Sequence, residues 1–119
     1  MNERHPDELI AQIQFWMKNN VSDESSIASI AQQFEVPQRT LTRRFTQATG
    51  LSPNQYRRKL RVQVAQDLLA NSNLSINDIA FELGFNHQSQ LNKLFTQQLG
   101  QSPGEYRALV RKKLFGTDT

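Results

Sequence analysis

The sequence predicts an all-α fold of seven helices, in which two three-helix helix-turn-helix subdomains are joined by a long shared linker helix. Apolar residues recur at spacings of three and four, and no stretch shows the alternation typical of a β-strand. One segment also occurs twice, since residues 26–57 return as residues 75–107 with matching apolar and turn positions. Two copies are too few for a solenoid, so the repeat predicts two similar modules.

The N-terminal module, residues 1–51, is predicted to contain three helices. Pro6 and Asp7 suit the first turn of a helix, where a fixed φ and a negative charge are both favourable. Ser26 is a suitable N-cap for the second helix, and Gly50 is a suitable residue to end the third. The residues predicted to face inward are Leu9, Ile10, Ile13, Trp16 or Met17, Ile27, Ile30, Ala31, Phe34, Leu41, Phe45 and Ala48, with Phe15 as a candidate addition.

A long linker helix is predicted at residues 52–71. Ser52 and Gln55 have the spacing of a capping box around Pro53, and no later proline or glycine interrupts the helix. At 1.5 Å per residue the helix measures roughly 30 Å, close to the roughly 34 Å of one DNA turn. Its predicted inward residues are Tyr56, Leu60, Val64, Ala65, Leu68 and Leu69.

The C-terminal module, residues 72–119, repeats the pattern of the first. Its capping and turn residues are Ser75 with Asp78, then Gly84, Gly100, and Ser102 with Glu105. Gly84 supplies the positive φ that Glu35 adopts only with strain at the matching turn of the first module. The residues predicted to face inward are Ile76, Ile79, Ala80, Leu83, Leu91, Leu94, Phe95, Leu99, Tyr106, Leu109, Val110 and Leu114.

The composition excludes several classes of protein. The absence of cysteine removes disulfides and thiolate metal sites and favours a reducing, cytoplasmic location. No apolar run has the length of a signal peptide or a membrane span. The chain lacks a phosphate-binding glycine loop, a nucleophile motif and a paired-carboxylate site, so it is not expected to be an enzyme. The two histidines have no cysteine or carboxylate cluster beside them, so neither a metal nor a cofactor is expected.

The charge is unevenly distributed along the chain. Residues 1–36 hold two basic and six acidic residues, a net charge of −4, whereas residues 37–119 hold twelve basic and five acidic residues, a net charge of +7. A basic segment of this kind indicates a polyanionic partner such as nucleic acid, and a solvated basic face is the alternative interpretation.

The second helix of each helix-turn-helix pair, at about residues 37–48 and 87–99, has a polar outer face. An α-helix fits the major groove, where arginine can contact guanine in a forked geometry and glutamine can pair with adenine. The candidate base-contacting residues are Gln38, Arg39, Thr42, Arg43, Gln88, Gln90, Asn92 and Lys93. Because these side chains differ between the modules, the duplex site is predicted to be asymmetric. The length of the linker helix predicts that the two helices enter adjacent major-groove segments.

A cluster of positions in the second module carries a resemblance to a known family. These positions are Ile79, Ala80, Gly84, Phe85, Leu91, Phe95, Gly100, Ser102, Pro103, Tyr106 and Arg107. From about Asp7 to Arg111 the chain resembles the DNA-binding domain of the AraC/XylS family of bacterial transcription regulators. The resemblance implies seven helices, two helix-turn-helix motifs and sequence-specific binding of double-stranded DNA, with Ser89 as a further base-contacting residue. The residues expected to contact phosphate are Thr40, Arg44, Arg57, Arg58, His87 and Arg107.

Two positions depart from the family pattern. Leu91 stands where an aromatic residue is common, and Lys93 stands where arginine is common, which weakens a forked guanine contact there because lysine is a point charge.

Most family members also carry a sensing or dimerisation domain, so the chain is expected to be either a stand-alone regulator or the excised DNA-binding part of a longer one. Docking on RNA polymerase through the fourth helix is a second function that can coexist with DNA binding. The expected location is the cytoplasm, in association with the nucleoid.

Overall fold

The computed structural model describes residues 7–115, and within this range the chain is helical with no β-strand. Seven helices follow one another, which confirms the predicted all-α fold. They are α1 (Glu8–Asn19), α2 (Ile27–Gln33), α3 (Gln38–Thr49), α4 (Pro53–Asn71), α5 (Ile76–Glu82), α6 (Gln88–Leu99) and α7 (Pro103–Phe115). Pro6, predicted in the first turn of α1, lies outside the described residues, whereas Asp7 is the N-cap of that helix.

The described residues form two compact units that divide within α4, after Arg58. The first unit contains α1, α2, α3 and the start of α4, and the second contains the rest of α4 with α5, α6 and α7. Both units therefore draw residues from the helix that was predicted to link the modules. The subdomain boundaries at residues 51 and 72 stay a prediction from the sequence.

The core of the first unit consists largely of the residues that the apolar pattern predicts. Its buried members are Ile10, Ile13, Met17, Ile27, Ile30, Ala31, Leu41 and Phe45. The Phe45 ring meets the Tyr56 ring edge to face, with 5.2 Å between the centroids. Two inward predictions are wrong, because Phe15 is 70% exposed and Ala48 is exposed. Phe15 lies two residues after Ile13, roughly 200° around the helix, and Ala48 lies in the last turn of α3.

The core of the second unit is also formed by apolar side chains of its helices. Its buried members are Leu60, Val62, Ala65, Leu69, Ile79, Ala80, Leu83, Leu91, Leu94 and Phe95. The Phe95 ring meets the Tyr106 ring at 5.4 Å, which reproduces the aromatic pair of the first unit. The predictions of inward Leu99, Leu109 and Leu114 are wrong, since all three side chains are exposed. Helical periodicity marks one face of a helix, but it does not show how far along that face a neighbouring helix reaches.

Helix capping is duplicated along with the cores. The Ser52 hydroxyl accepts from the Gln55 backbone N–H at 3.1 Å, and the Gln55 side-chain oxygen accepts from the Ser52 N–H at 2.9 Å. Ser102 and Glu105 form the same reciprocal pair at 3.1 and 2.9 Å. Ser26 and Ser75 each cap a helix by accepting from the N–H three residues on. The predicted capping boxes that begin α4 and α7 are thus both confirmed.

The turns of the two helix-turn-helix motifs differ in one residue type. Gly84 has φ +90°, and Glu35 has φ +59° at the matching position. The left-handed region costs a residue with a Cβ roughly 1–2 kcal/mol, whereas glycine adopts it readily. The sequence-based expectation of strain at Glu35 is therefore confirmed.

We expect Glu35→Gly to raise the free energy of unfolding by about 1 kcal/mol, because it relieves a positive φ. Gly84→Ala should lower it by about 1–2 kcal/mol for the converse reason. Urea denaturation followed by circular dichroism measures both values. Glu35→Gln is the matched control, since it removes the charge and keeps the strain. A gain from Glu35→Gln as large as that from Glu35→Gly would show that charge and not backbone geometry is responsible.

Candidate nucleic-acid interface

Helix α3 is anchored by one face and presents polar side chains on the other. Leu41 and Phe45 are fully buried. Arg39 and Arg43 are exposed on the opposite face, and Gln38 and Thr42 are also exposed; all four are predicted base-contacting residues. Arg39 and Arg43 are four residues apart, so they lie one above the other on the helix surface. The anchored face holds the helix in the unit and leaves this polar surface available to a ligand.

Helix α6 has the same division between an anchored and a polar side. Leu91, Leu94 and Phe95 are buried against the second unit. Among the remaining predicted contact residues, Ser89, Gln90 and Lys93 are exposed, whereas Gln88 and Asn92 are half-buried. This surface carries one positive charge, where the α3 surface carries two.

Arg44 was predicted to contact phosphate, but its guanidinium group forms an ion pair inside the first unit. Its Nε donates to Asp7 Oδ2 at 2.9 Å, and its terminal nitrogen donates to Asp7 Oδ1 at 2.7 Å. This forked contact ties the N-cap of α1 to α3. The hydrogen bond from Arg44 lowers the pKa of Asp7 below its usual 3.8, and the carboxylate in turn raises the pKa of Arg44. We therefore assign Arg44 a structural role.

Replacing Asp7 with asparagine should lower the thermal midpoint of the first unit modestly, while asparagine keeps the ability to cap α1. A carboxyl whose pKa is lowered by folding stabilises the protein above its unfolded pKa, and that contribution is lost as the pH falls through the lowered value. The difference between wild type and Asp7→Asn should thus close in acid, and it should also shrink in high salt. Thermal unfolding at several pH values and salt concentrations measures it.

Glu8→Gln is the control, because Glu8 adjoins Asp7 and is exposed. A similar loss of midpoint in both variants would mean that overall charge, and not the pair with Arg44, stabilises α1.

Arg57 was also predicted to contact phosphate, and its guanidinium group instead binds two backbone carbonyls. It donates to Ser25 O at 2.6 Å and to Asp23 O at 2.5 Å. These carbonyls belong to the segment between α1 and α2. Arg57 therefore fixes the segment that leads into the first helix-turn-helix motif.

Arg107 occupies the matching position of the second copy and makes the matching contacts. It donates to Leu69 O at 3.0 Å and to Ser72 O at 3.2 Å, at the C-terminal end of α4. Arg111 donates to Ser72 O as well. Burial, with the nearby charge of Arg111 as a second cause, lowers the pKa of Arg107. Arg57 and Arg107 are thus a duplicated structural clamp, and phosphate contact by either of them stays a prediction from the sequence.

Gln90 was predicted to read a base, but its side chain is engaged at the start of α6. Its Oε1 accepts from the Asn86 backbone N–H at 2.9 Å and from the His87 N–H at 3.2 Å. His87 is the N-cap of the helix and is exposed, as is Arg58 on α4. Thr40 is half-buried. Phosphate contacts by these last three residues stay predictions.

Comparison with known proteins identifies the family. A model of a helix-turn-helix domain matches residues 30–109, more than half of the chain. A transcriptional regulator from Chromobacterium violaceum, described as having an AraC-type DNA-binding domain, has a TM-score of 0.79 and 28% identity, covering 85% of this chain and 90% of its own. The chain belongs to the AraC/XylS family.

Two further relatives of this AraC/XylS member bear on its function. The transcriptional activator RhaS of Escherichia coli strain SE11 is 40% identical over 79 residues, which are 64% of this chain and 28% of RhaS. The DNA-binding domain of the transcription factor AdpA, solved in complex with a target DNA, has a TM-score of 0.83 and 33% identity, covering 87% of this chain and 94% of its own. The family and the fold are those of DNA-binding domains of transcription regulators and not of enzymes.

Within the described part of this AraC/XylS domain, no group of three or more potential metal-binding side chains is present. None of the helices described is long and apolar enough to cross a membrane.

Some of the internal hydrogen bonds of this AraC/XylS domain are indicated by a sequence pattern, and others are not. Gln90 follows His87 by three residues, the spacing that marks Ser52 and Gln55 as a capping box. The pairing of Arg44 with Asp7 spans 37 positions, and no local pattern indicates it. Polarity alone therefore could not separate the arginines that hold the fold from those that face outward.

Proposed function

We propose that the chain regulates transcription by binding a specific duplex DNA site, with α3 and α6 each entering a major-groove segment. The observation that carries the proposal is the polar face of α3, which presents Arg39 and Arg43 opposite the buried Leu41 and Phe45. A helix anchored on one side and bearing forked hydrogen-bond donors on the other suits readout of base edges. The likeness to the DNA-binding domain of AdpA, which was solved in complex with a target DNA, supports binding of DNA by this chain.

Base contacts are assigned to eight of the predicted residues, which are exposed or half-buried on α3 and α6. In α3 these are Gln38, Arg39, Thr42 and Arg43, and in α6 they are Gln88, Ser89, Asn92 and Lys93. Phosphate contacts are assigned to Thr40, Arg58 and His87. The assignment leaves out Arg44, Arg57, Arg107 and Gln90, whose polar groups already bind within the protein.

The two halves of the site should differ in sequence. The α3 surface offers two arginines, each suited to guanine O6 and N7, whereas the α6 surface offers amides and a lysine. Amides suit adenine, and lysine binds guanine or phosphate as a point charge. The proposed site is therefore asymmetric and occupies adjacent major-groove segments.

Further partners and the location belong to the same proposal. RhaS is an activator and is longer, since the matching region covers 28% of it. We propose that the chain acts near RNA polymerase, that a sensing or dimerisation domain works with it, and that it resides in the cytoplasm on the nucleoid. The net charge of +7 in residues 37–119 favours a polyanion such as duplex DNA.

Selection of bound sequences from a random duplex pool tests the proposal. We expect enrichment of one asymmetric motif with two separate information-rich segments. Binding to that motif should weaken with salt, by a log–log slope of about −0.9 for each phosphate neutralised. Binding to the starting pool should show a salt dependence without a sequence preference. Retention of the pool without enrichment would overturn specific readout, and failure to bind duplex in low salt would overturn DNA binding itself.

A further inference from the structure

The start of α6 is held by a side chain from its own first turn. Gln90 Oε1 accepts from two backbone amides, those of Asn86 at 2.9 Å and His87 at 3.2 Å. His87 is the N-cap, so Gln90 stands at the third helical position, where glutamine completes a capping box. Gln88 and Ser89 lie between these two residues. The two hydrogen bonds of Gln90 therefore span the first turn of the recognition helix, which carries Gln88 and Ser89.

Helix α3 begins without such a contact. Its N-cap is Pro37, which has φ −60° and makes no side-chain cap hydrogen bond. The residue that matches Gln90 is Thr40, whose side chain is too short for the reciprocal reach of a glutamine. Proline fixes its own φ covalently. The N-termini of the two recognition helices are therefore stabilised in different ways.

The hydrogen bonds of Gln90 conflict with base reading by the same side chain. A glutamine that pairs with adenine accepts from N6 through its carbonyl oxygen and donates to N7 through its nitrogen. A carbonyl oxygen has two lone pairs, and Gln90 Oε1 already accepts two N–H groups. Pairing with adenine would release at least one of those amides.

We propose that Gln90 is a positioning residue for DNA readout, which fixes the first turn of α6 so that Gln88 and Ser89 meet their bases. The proposal rests on the proposed function of sequence-specific DNA binding. Readout by hydrogen bonds depends on side chains held within about 0.5 Å of their productive geometry. A loosened first turn would spread both side chains over several positions. Gln90 thus contributes to specificity without touching a base.

The capping role is tested first in the protein without DNA. Hydrogen exchange of the Asn86 and His87 amides, followed by NMR, should be faster by about fivefold or more in Gln90→Ala than in wild type. Gln90→Glu should keep the protection, because glutamate offers the same acceptor at the third position of a capping box. Equal protection in wild type and Gln90→Ala would overturn the proposal.

The effect on readout is tested by selecting sites with the same two variants. Gln90→Ala should weaken the base preference at the neighbouring base pairs read by α6 and leave the α3 half-site unchanged. Gln90→Glu should keep the wild-type preference and bind all duplexes more weakly, since the added negative charge repels phosphates. Glutamate in direct contact with a base accepts from cytosine N4. A change of preference to cytosine at one base pair would therefore show that Gln90 reads a base.

Failure of this inference and failure of the proposed function have different signatures. If wild type selects no motif, the function is wrong, while the amide exchange result still reports on the cap. If wild type selects a motif and Gln90→Ala leaves it unchanged, the function stands and the positioning role is wrong.

Discussion

Replacing Arg39 and Arg43 together with alanine should reduce affinity for the selected site by roughly 2–6 kcal/mol, since each forked guanine contact is worth about 1–3 kcal/mol. Both side chains are exposed on α3, so their removal should leave the stability of the first unit nearly unchanged. Fluorescence anisotropy with the selected duplex and with a scrambled duplex measures the effect. The loss should be much larger on the selected duplex.

Lys112→Ala with Lys113→Ala is the matched control for this experiment. It removes the same charge from exposed positions on α7, a helix to which no base contact is assigned. Its effect should be small and similar on both duplexes, as expected for long-range electrostatics. If the α3 double variant lost affinity equally on both duplexes, the two arginines would contact only the DNA backbone.

Phe95→Ala should lower the free energy of unfolding of the second unit by about 3–5 kcal/mol, the usual cost of truncating a buried phenylalanine. Phe95 is fully buried and packs edge to face on Tyr106 at 5.4 Å. Its loss removes apolar burial and leaves a cavity beneath the recognition helix α6. Urea denaturation, together with an NMR spectrum that reports on each unit, should show selective unfolding of α5 to α7.

Phe81→Ala is the corresponding control, because it makes the same chemical change at a side chain that is 76% exposed. Its effect should be within about 0.5 kcal/mol, as for most surface substitutions. Equal losses from the two variants would contradict the assignment of Phe95 to the core. Phe45→Ala should repeat the Phe95 result in the first unit, where Phe45 packs on Tyr56.

The seven helices and their ends were predictable because the signals that specify them are local. A capping box such as Ser52 and Gln55 is complete within four consecutive residues, and the glycines that end α3 and α6 act through their own φ angles. Because the segment occurs twice, each of these local signals is present in both modules. The burial of Phe45 and Phe95 was predictable for the same reason, since both lie on the apolar stripe of a short amphipathic helix.

The partners of the charged side chains were not predictable from these patterns. Arg107 reaches carbonyls 35 to 39 positions away, and sequence shows neither the direction of a guanidinium group nor a carbonyl left over at a helix end. An outward arginine such as Arg39 and a clamping one such as Arg107 have the same chemistry. Only the position of the backbone around them separates the two roles.

The wrong predictions of burial for apolar residues have a different cause. Leu109 and Leu114 follow the helical period of α7, yet both are exposed. Val62 departs from the predicted stripe of α4 and is buried. Burial depends on which neighbouring element is present beside each residue, and a single helix pattern does not contain that information.

The duplicated clamp formed by Arg57 and Arg107 has a consequence for the engineering of new DNA specificities. Each arginine secures its module from outside the recognition helix, so the outward residues of that helix are not needed to hold the scaffold. The outward positions of α3 correspond one to one with Gln88, Ser89, Asn92 and Lys93 in α6. We therefore expect that the reading side chains of one module can be transplanted into the other without redesign of the core, provided that Gln90 accompanies those of α6.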